Sequence, residues 1–75
     1  MSDKVYTVEE ITSMVEQLNK AWAGMHSTLA FYDDDLKEMF ERWYNYYDEL
    51  FEAIDWDIQT PEVKKIMEEY INAEK

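Results

Sequence analysis

The sequence has no cysteine and only one histidine, one glycine and one proline among its 75 residues. Without cysteine there is no disulfide, thiolate nucleophile or cysteine zinc site, and one histidine cannot form a histidine cluster. One glycine and one proline are too few for the many turns of a β-rich fold. The first residues lack a secretion signal, and no window approaches the roughly 18 apolar residues that span a bilayer. We therefore expect one helical domain in the cytosol.

Basic residues are also scarce: the chain has 7 of them against 18 acidic residues, so the formal net charge is −11. This surplus repels phosphate backbones and anionic lipid headgroups, so we do not expect direct binding to nucleic acid or to membranes. It attracts basic proteins, including those that hold nucleic acid. Hydrophobic residues make up 47% of the chain, which is enough for a folded core despite the charge.

Three segments repeat apolar residues at helical spacing, and each has a start signal. Residues 7–10 have the S/T-x-x-E form of a capping box, which predicts a helix over residues 8–29 with Gly24 on its outer side as a place for a bend. The run Asp33, Asp34, Asp35 predicts a second helix over residues 34–54. Thr60 and Pro61 predict a third over residues 61–73. The simplest arrangement is an all-α, antiparallel three-helix bundle.

Each predicted helix has one apolar stripe that should face the core. The first stripe contains Val8, Ile11, Met14, Val15, Leu18, Trp22, Met25 and Leu29. The second contains Leu36, Met39, Phe40, Trp43, Tyr47, Leu50, Phe51 and Ile54, with Tyr44 and Tyr46 on its shoulders, and we expect Trp56 to fold back onto the core. Twelve aromatic residues exceed what such a small interior holds, so some should lie at the surface and form a homodimer contact or a partner-binding patch.

The second predicted helix has the most informative charge pattern. Ten acidic and two basic residues lie between Asp33 and Asp57, a local charge of −8. Five carboxylates share a sector of about 100° on the helical wheel: Glu38, Glu41, Asp48, Glu49 and Glu52. At about 1.5 Å rise per residue they span about 21 Å. Their spacing of about 4–5 Å approaches the ~3.4 Å between phosphates on a DNA strand. Two interpretations remain open: a solvated face, or a face that imitates nucleic acid.

Metal binding and catalysis find no support in the residue spacing. A calcium loop that begins at Asp57 would place Glu68 at its twelfth position but Glu62 where a glycine is required, and a di-iron bundle would need Glu-x-x-His pairs. His26 and the serines lie in no nucleophile context, and there is no glycine-rich phosphate loop. We expect no metal, no cofactor and no enzymatic activity.

In size, charge and helical content the chain resembles the small acidic inhibitors that bacteriophages and mobile elements direct against host nucleic-acid enzymes. These include anti-restriction proteins, anti-CRISPR proteins and other DNA mimics. A weaker likeness exists to the acidic bacteriocin immunity proteins. Such groups share no common fold, so the resemblance implies a mode of action and no particular site residues.

The sequence thus predicts a non-catalytic inhibitor that binds a basic, nucleic-acid-binding host protein, such as a CRISPR or restriction effector, and competes with DNA or RNA. The predicted contact residues are Asp34, Asp35, Glu38, Glu41, Asp48, Glu49, Glu52, Tyr44, Tyr46 and Trp56. The alternative is a helical interaction or dimerisation module whose acidic face only provides solubility.

Overall fold

The computed structural model describes residues 4–73. Four helices follow one another: α1 (Val8–Met25), α2 (Thr28–Tyr32), α3 (Asp34–Glu52) and α4 (Pro61–Ala73), with a 3-10 turn over Trp56–Ile58 before α4. The described residues contain no strand. The predicted all-α fold, a small bundle of three long helices, is confirmed.

The predicted helix starts are confirmed by their capping hydrogen bonds. The Thr7 hydroxyl accepts from the Glu10 amide at 3.1 Å, and the Glu10 carboxylate accepts from the Thr7 amide at 3.1 Å. One Asp33 carboxylate oxygen accepts from two amides at the start of α3, both at 3.1 Å. The Thr60 hydroxyl accepts from the Val63 amide at 3.4 Å. These signals act within a few residues, which explains why sequence alone located them.

The Glu10 carboxylate also accepts a hydrogen bond from the Lys4 ammonium. This contact, followed by the Thr7 amide, lowers the pKa of Glu10 below its ordinary value. Because the pKa is lower in the folded state, the resulting stability is present above the unfolded pKa and is lost as the pH falls through the folded one. We expect Lys4→Met to raise the Glu10 pKa in an NMR titration. An unchanged pKa would contradict this contact.

The predicted end of the first helix is wrong, since α1 stops at Met25 and not near residue 29. Ser27 causes the break: its hydroxyl donates to the Gly24 carbonyl at 2.7 Å and accepts from the Ala30 amide at 3.2 Å, so it caps a new helix, α2. The change of direction turns Leu29 out of the predicted core stripe. The second predicted helix also ends slightly early, at Glu52 and not at residue 54.

The core lies where α1 meets the other two long helices, and α1 packs against both α3 and α4. Its members are Ile11, Met14, Leu18, Phe51, Ile54, Val63, Met67 and Tyr70. Val15 and Trp22 of α1 line one depression together with Ile66 and Ala73 of α4. Two residues of the predicted stripe, Val8 and Trp22, are about half exposed, because they lie at the two ends of α1 where neighbouring helices cover them less.

Gly24 does not lie on an outer side of the bundle, as the sequence had suggested, but against the ring of Phe40 on α3. A Cβ atom at this position would overlap the ring. We therefore expect Gly24→Ala to lower the free energy of unfolding by up to about 2 kcal/mol, because overpacking costs about 1–3 kcal/mol and helix propensity returns roughly 1 kcal/mol of it. Urea denaturation measures the change. Combining the substitution with Phe40→Leu should recover part of the loss, and a stabilised Gly24→Ala would contradict the contact.

Gln59 is the one buried polar side chain among residues 4–73, with 4% of its surface exposed. Its amide nitrogen donates to the carbonyls of Lys4 and Asp55, both at 2.9 Å, and its amide oxygen accepts from the Tyr6 amide at 2.9 Å. One side chain thus joins the segment before α1 to the connection between α3 and α4.

Candidate protein-binding surface

The structure leaves the predicted acidic residues of α3 largely at the surface. Asp48 is half-buried, because it lies one turn after Tyr44 at the edge nearest the core. The others are exposed: Asp34, Asp35, Glu38, Glu41, Glu49 and Glu52. We call the five carboxylates Glu38, Glu41, Asp48, Glu49 and Glu52 the acidic face.

Few basic groups neutralise the acidic face. Within the described part of the chain, its one ion pair joins Arg42 to Glu38 at 3.4 Å, one turn apart on α3. Both side chains are largely exposed, and such pairs contribute little to stability. Lys37 is the other basic residue of α3. The face therefore keeps most of its negative charge in contact with solvent.

The three predicted aromatic contact residues lie at different places relative to the acidic face. Tyr46 is exposed and lies about 40° or less from Met39 and Leu50 on the helical wheel, and about 60° from Glu49. Tyr44 is half-buried and packs against the core. Trp56 lies beyond the end of α3, where it packs edge-on against Phe51 with ring centroids 6.4 Å apart, as expected for a residue that folds back.

The most exposed apolar side chains lie elsewhere, on α2, where the sequence pattern did not predict a surface. Leu29, Phe31 and Tyr32 are 72%, 78% and 81% exposed. The rings of Phe31 and Tyr32 meet edge to face with centroids 5.1 Å apart. We call these three residues the α2 patch. A serine that caps a helix at residue 27 is the sequence signal that would have separated them from the first helix.

The α2 patch adjoins the acidic face. Phe31 lines a shallow surface depression of about 450 Å³ together with Met25, Lys37 and Glu41. Glu41 belongs to the acidic face, so an aromatic group and a row of carboxylates meet at this point. Aromatic anchors beside charged groups are typical of protein interfaces.

A second depression, between α1 and α4, has a volume of about 540 Å³. It is mostly apolar, and Glu69 is its one charged lining residue. No group of three or more possible metal ligands is found in residues 4–73. No helix in that range is both long and apolar enough to cross a bilayer.

The geometry therefore contains an acidic helix face that borders an exposed aromatic patch. Comparison of the chain with protein-family models, with curated proteins and with solved structures found no match.

Proposed function

We propose that this protein acts without catalysis, by binding a basic nucleic-acid-binding protein through the acidic face and excluding DNA or RNA from it. The observation that supports this most directly is the row of five carboxylates along α3, of which one has a basic partner. Like charges one turn apart destabilise a helix slightly, so a surface selected for stability alone would place lysines among them. The charge spacing is near that of a nucleic-acid strand.

The α2 patch complements the charges in this proposal. Long-range attraction between opposite charges raises the association rate but adds less to the lifetime of a complex. A few buried residues, often aromatic, supply most of the binding energy at protein interfaces. Phe31 lies beside Glu41 of the acidic face, and the exposed ring of Tyr32 packs against that of Phe31, so these two are the residues we assign to that second role.

Affinity capture from host lysate tests the proposal when it is followed by competition with nucleic acid. The lysate is treated with nuclease, so that capture through bound DNA or RNA is excluded. We expect a captured protein to lose its own nucleic-acid binding, in a gel-shift assay, as this chain is titrated in. Its association rate should also fall steeply as salt is raised. A captured protein that still binds nucleic acid when saturated with this chain would overturn the proposal.

The alternative function is an interaction module whose acids provide only solubility. The exposure of Leu29, Phe31 and Tyr32 favours it, since an apolar patch can bind a partner without help from charge. The salt dependence of the affinity separates the two functions. A pure interaction module would keep its affinity across a wide range of salt concentrations and would lose it only when Phe31 and Tyr32 are replaced with serine.

A further inference from the structure

A second apolar surface runs along α3 on the flank away from the α2 patch. Its residues recur at alternating spacings of three and four, which is the pattern of a coiled-coil contact: Leu36, Met39, Trp43, Tyr46 and Leu50. We call this set the α3 strip. Met39, Tyr46 and Leu50 are 49%, 61% and 36% exposed, and Leu36 and Trp43 are half-buried.

The other helices of residues 4–73 leave much of the strip exposed, above all at Met39, Tyr46 and Leu50. α1 packs on the neighbouring flank of α3, where Phe40 contacts Gly24 and Tyr47 lies near Met14. α2 lies beside Lys37 and Glu41, on the other side of α3. The strip is therefore an apolar helix face about 21 Å long, from Leu36 to Leu50, that the rest of the described chain covers only in part. From this pattern we infer that the strip is the contact of an antiparallel homodimer, in which α3 packs against α3 of a second copy.

We choose a second copy of the chain as the binding partner because the α3 strip is complementary to itself. Two α3 helices placed antiparallel around a twofold axis between Tyr44 and Asn45 bring residues of the strip together in pairs. Trp43 lies level with Tyr46 of the partner subunit, and Met39 lies level with Leu50 of the partner subunit. Leu36 lies level with Ala53 of the partner subunit, which is small and exposed. In this register every residue of the strip therefore lies opposite a residue of the partner subunit.

The charges beside the strip fit the same register. Arg42 and Glu49 each precede a strip residue, and these flanking positions face one another in antiparallel coiled coils. Arg42 then lies within about 3 Å, measured along the axis, of Glu49 of the partner subunit, and the twofold axis repeats the pair. A parallel arrangement would instead bring the acidic starts of the two α3 helices together. The other acids of the acidic face lie away from the strip, so this dimer leaves them exposed on both copies.

Sedimentation equilibrium tests the dimer directly. The strip is small compared with a standard interface, so we expect a weak dimer in the micromolar range. The average mass should rise from 9.1 kDa toward twice that value as the concentration is raised from about 5 to about 500 µM, a range that spans such an affinity. Tyr46→Glu should abolish the rise. Tyr32→Glu adds the same charge at an exposed site off the strip and should leave it unchanged. A monomer throughout, or equal loss in both variants, would overturn the inference.

Cysteine cross-linking tests the orientation, and the natural chain has no cysteine to interfere. Under mild oxidation, a mixture of Met39→Cys and Leu50→Cys chains should form the mixed disulfide, while Met39→Cys alone should remain uncrosslinked. Strong cross-linking of Met39→Cys alone would show a parallel pair and overturn the antiparallel register. Glu49→Lys should weaken association by about fivefold or more, because it places a second positive charge beside Arg42 of the partner subunit. Adding Arg42→Glu should restore the association. Unchanged association in Glu49→Lys would contradict the charge pairing.

The dimer goes beyond the proposed function and does not depend on it. Its tests require no binding partner, and they leave Glu38, Glu41 and Glu52 unchanged. Failure of the dimer would therefore leave the acidic-face proposal standing, and failure of partner binding would leave the dimer standing.

Discussion

Replacing Gln59 with leucine is expected to lower the free energy of unfolding by about 2–4 kcal/mol, because it removes three part-buried hydrogen bonds to the backbone that each contribute about 0.5–1.5 kcal/mol. Leucine has a similar volume but can neither donate to the carbonyls of Lys4 and Asp55 nor accept from the Tyr6 amide. A chain of this length is stabilised by only about 4–11 kcal/mol in total. The melting temperature should consequently fall by roughly 10–30 °C.

Thermal and urea denaturation, followed by circular dichroism, measure this loss. The chain supplies a matched control in Gln17, the other glutamine, which lies half-exposed on α1. Gln17→Leu makes the same chemical change and should alter stability by no more than about 0.5 kcal/mol. Equal effects of the two substitutions would mean that the three hydrogen bonds of Gln59 do not hold the N-terminal segment in place.

Reversing three charges on the acidic face is expected to cause the largest loss of function. We predict that Glu38→Lys, Glu41→Lys and Glu52→Lys together slow association with the basic partner by about 10- to 1,000-fold, which is the range that electrostatic attraction contributes. All three side chains are exposed, so the fold should be retained. Surface plasmon resonance at low and at physiological salt measures the rate. The difference between the wild type and the variant should shrink as salt rises.

The matched control reverses three exposed acids on the other two long helices: Glu16, Glu68 and Glu69. Both variants change the formal net charge from −11 to −5, so they differ only in where the charge is removed. We expect the control to slow association much less than the variant on α3. Equal slowing by both would show that total charge, and not the acidic face, attracts the partner. No slowing by either would contradict the proposed function.

Local signals explain what could be predicted about the helices. Thr7, Asp33 and Thr60 cap helices within three residues of their own positions, so their roles can be identified without knowing the fold. The acidic face is equally local, because spacing along one helix decides which side chains share a side. The end of α1 was missed because the apolar spacing continues through Leu29, although Ser27 caps a new helix. The spacing of apolar residues alone does not reveal such a break between helices.

Contacts between distant residues could not be predicted in the same way. Gly24 looks like a weak point in a helix, and only the neighbouring ring of Phe40 shows that the glycine is required there. Gln59 is an ordinary polar residue in the sequence, and its hydrogen bonds reach back more than 50 positions along the chain. Similarly, the apolar residues of α3 form one broad stripe on the wheel. The structure divides that stripe into a flank that packs on α1 and a flank that remains exposed.

The sequence by itself determined the all-α class, the helix starts and the concentration of negative charge on one helix. Each of these follows from residue type and from spacing within a single segment. The tertiary structure decided which apolar side chains are buried, where the first helix breaks, and that the exposed α2 patch lies beside Glu41. Burial depends on which helices meet, and that choice is made by all the segments together, so no single segment contains it.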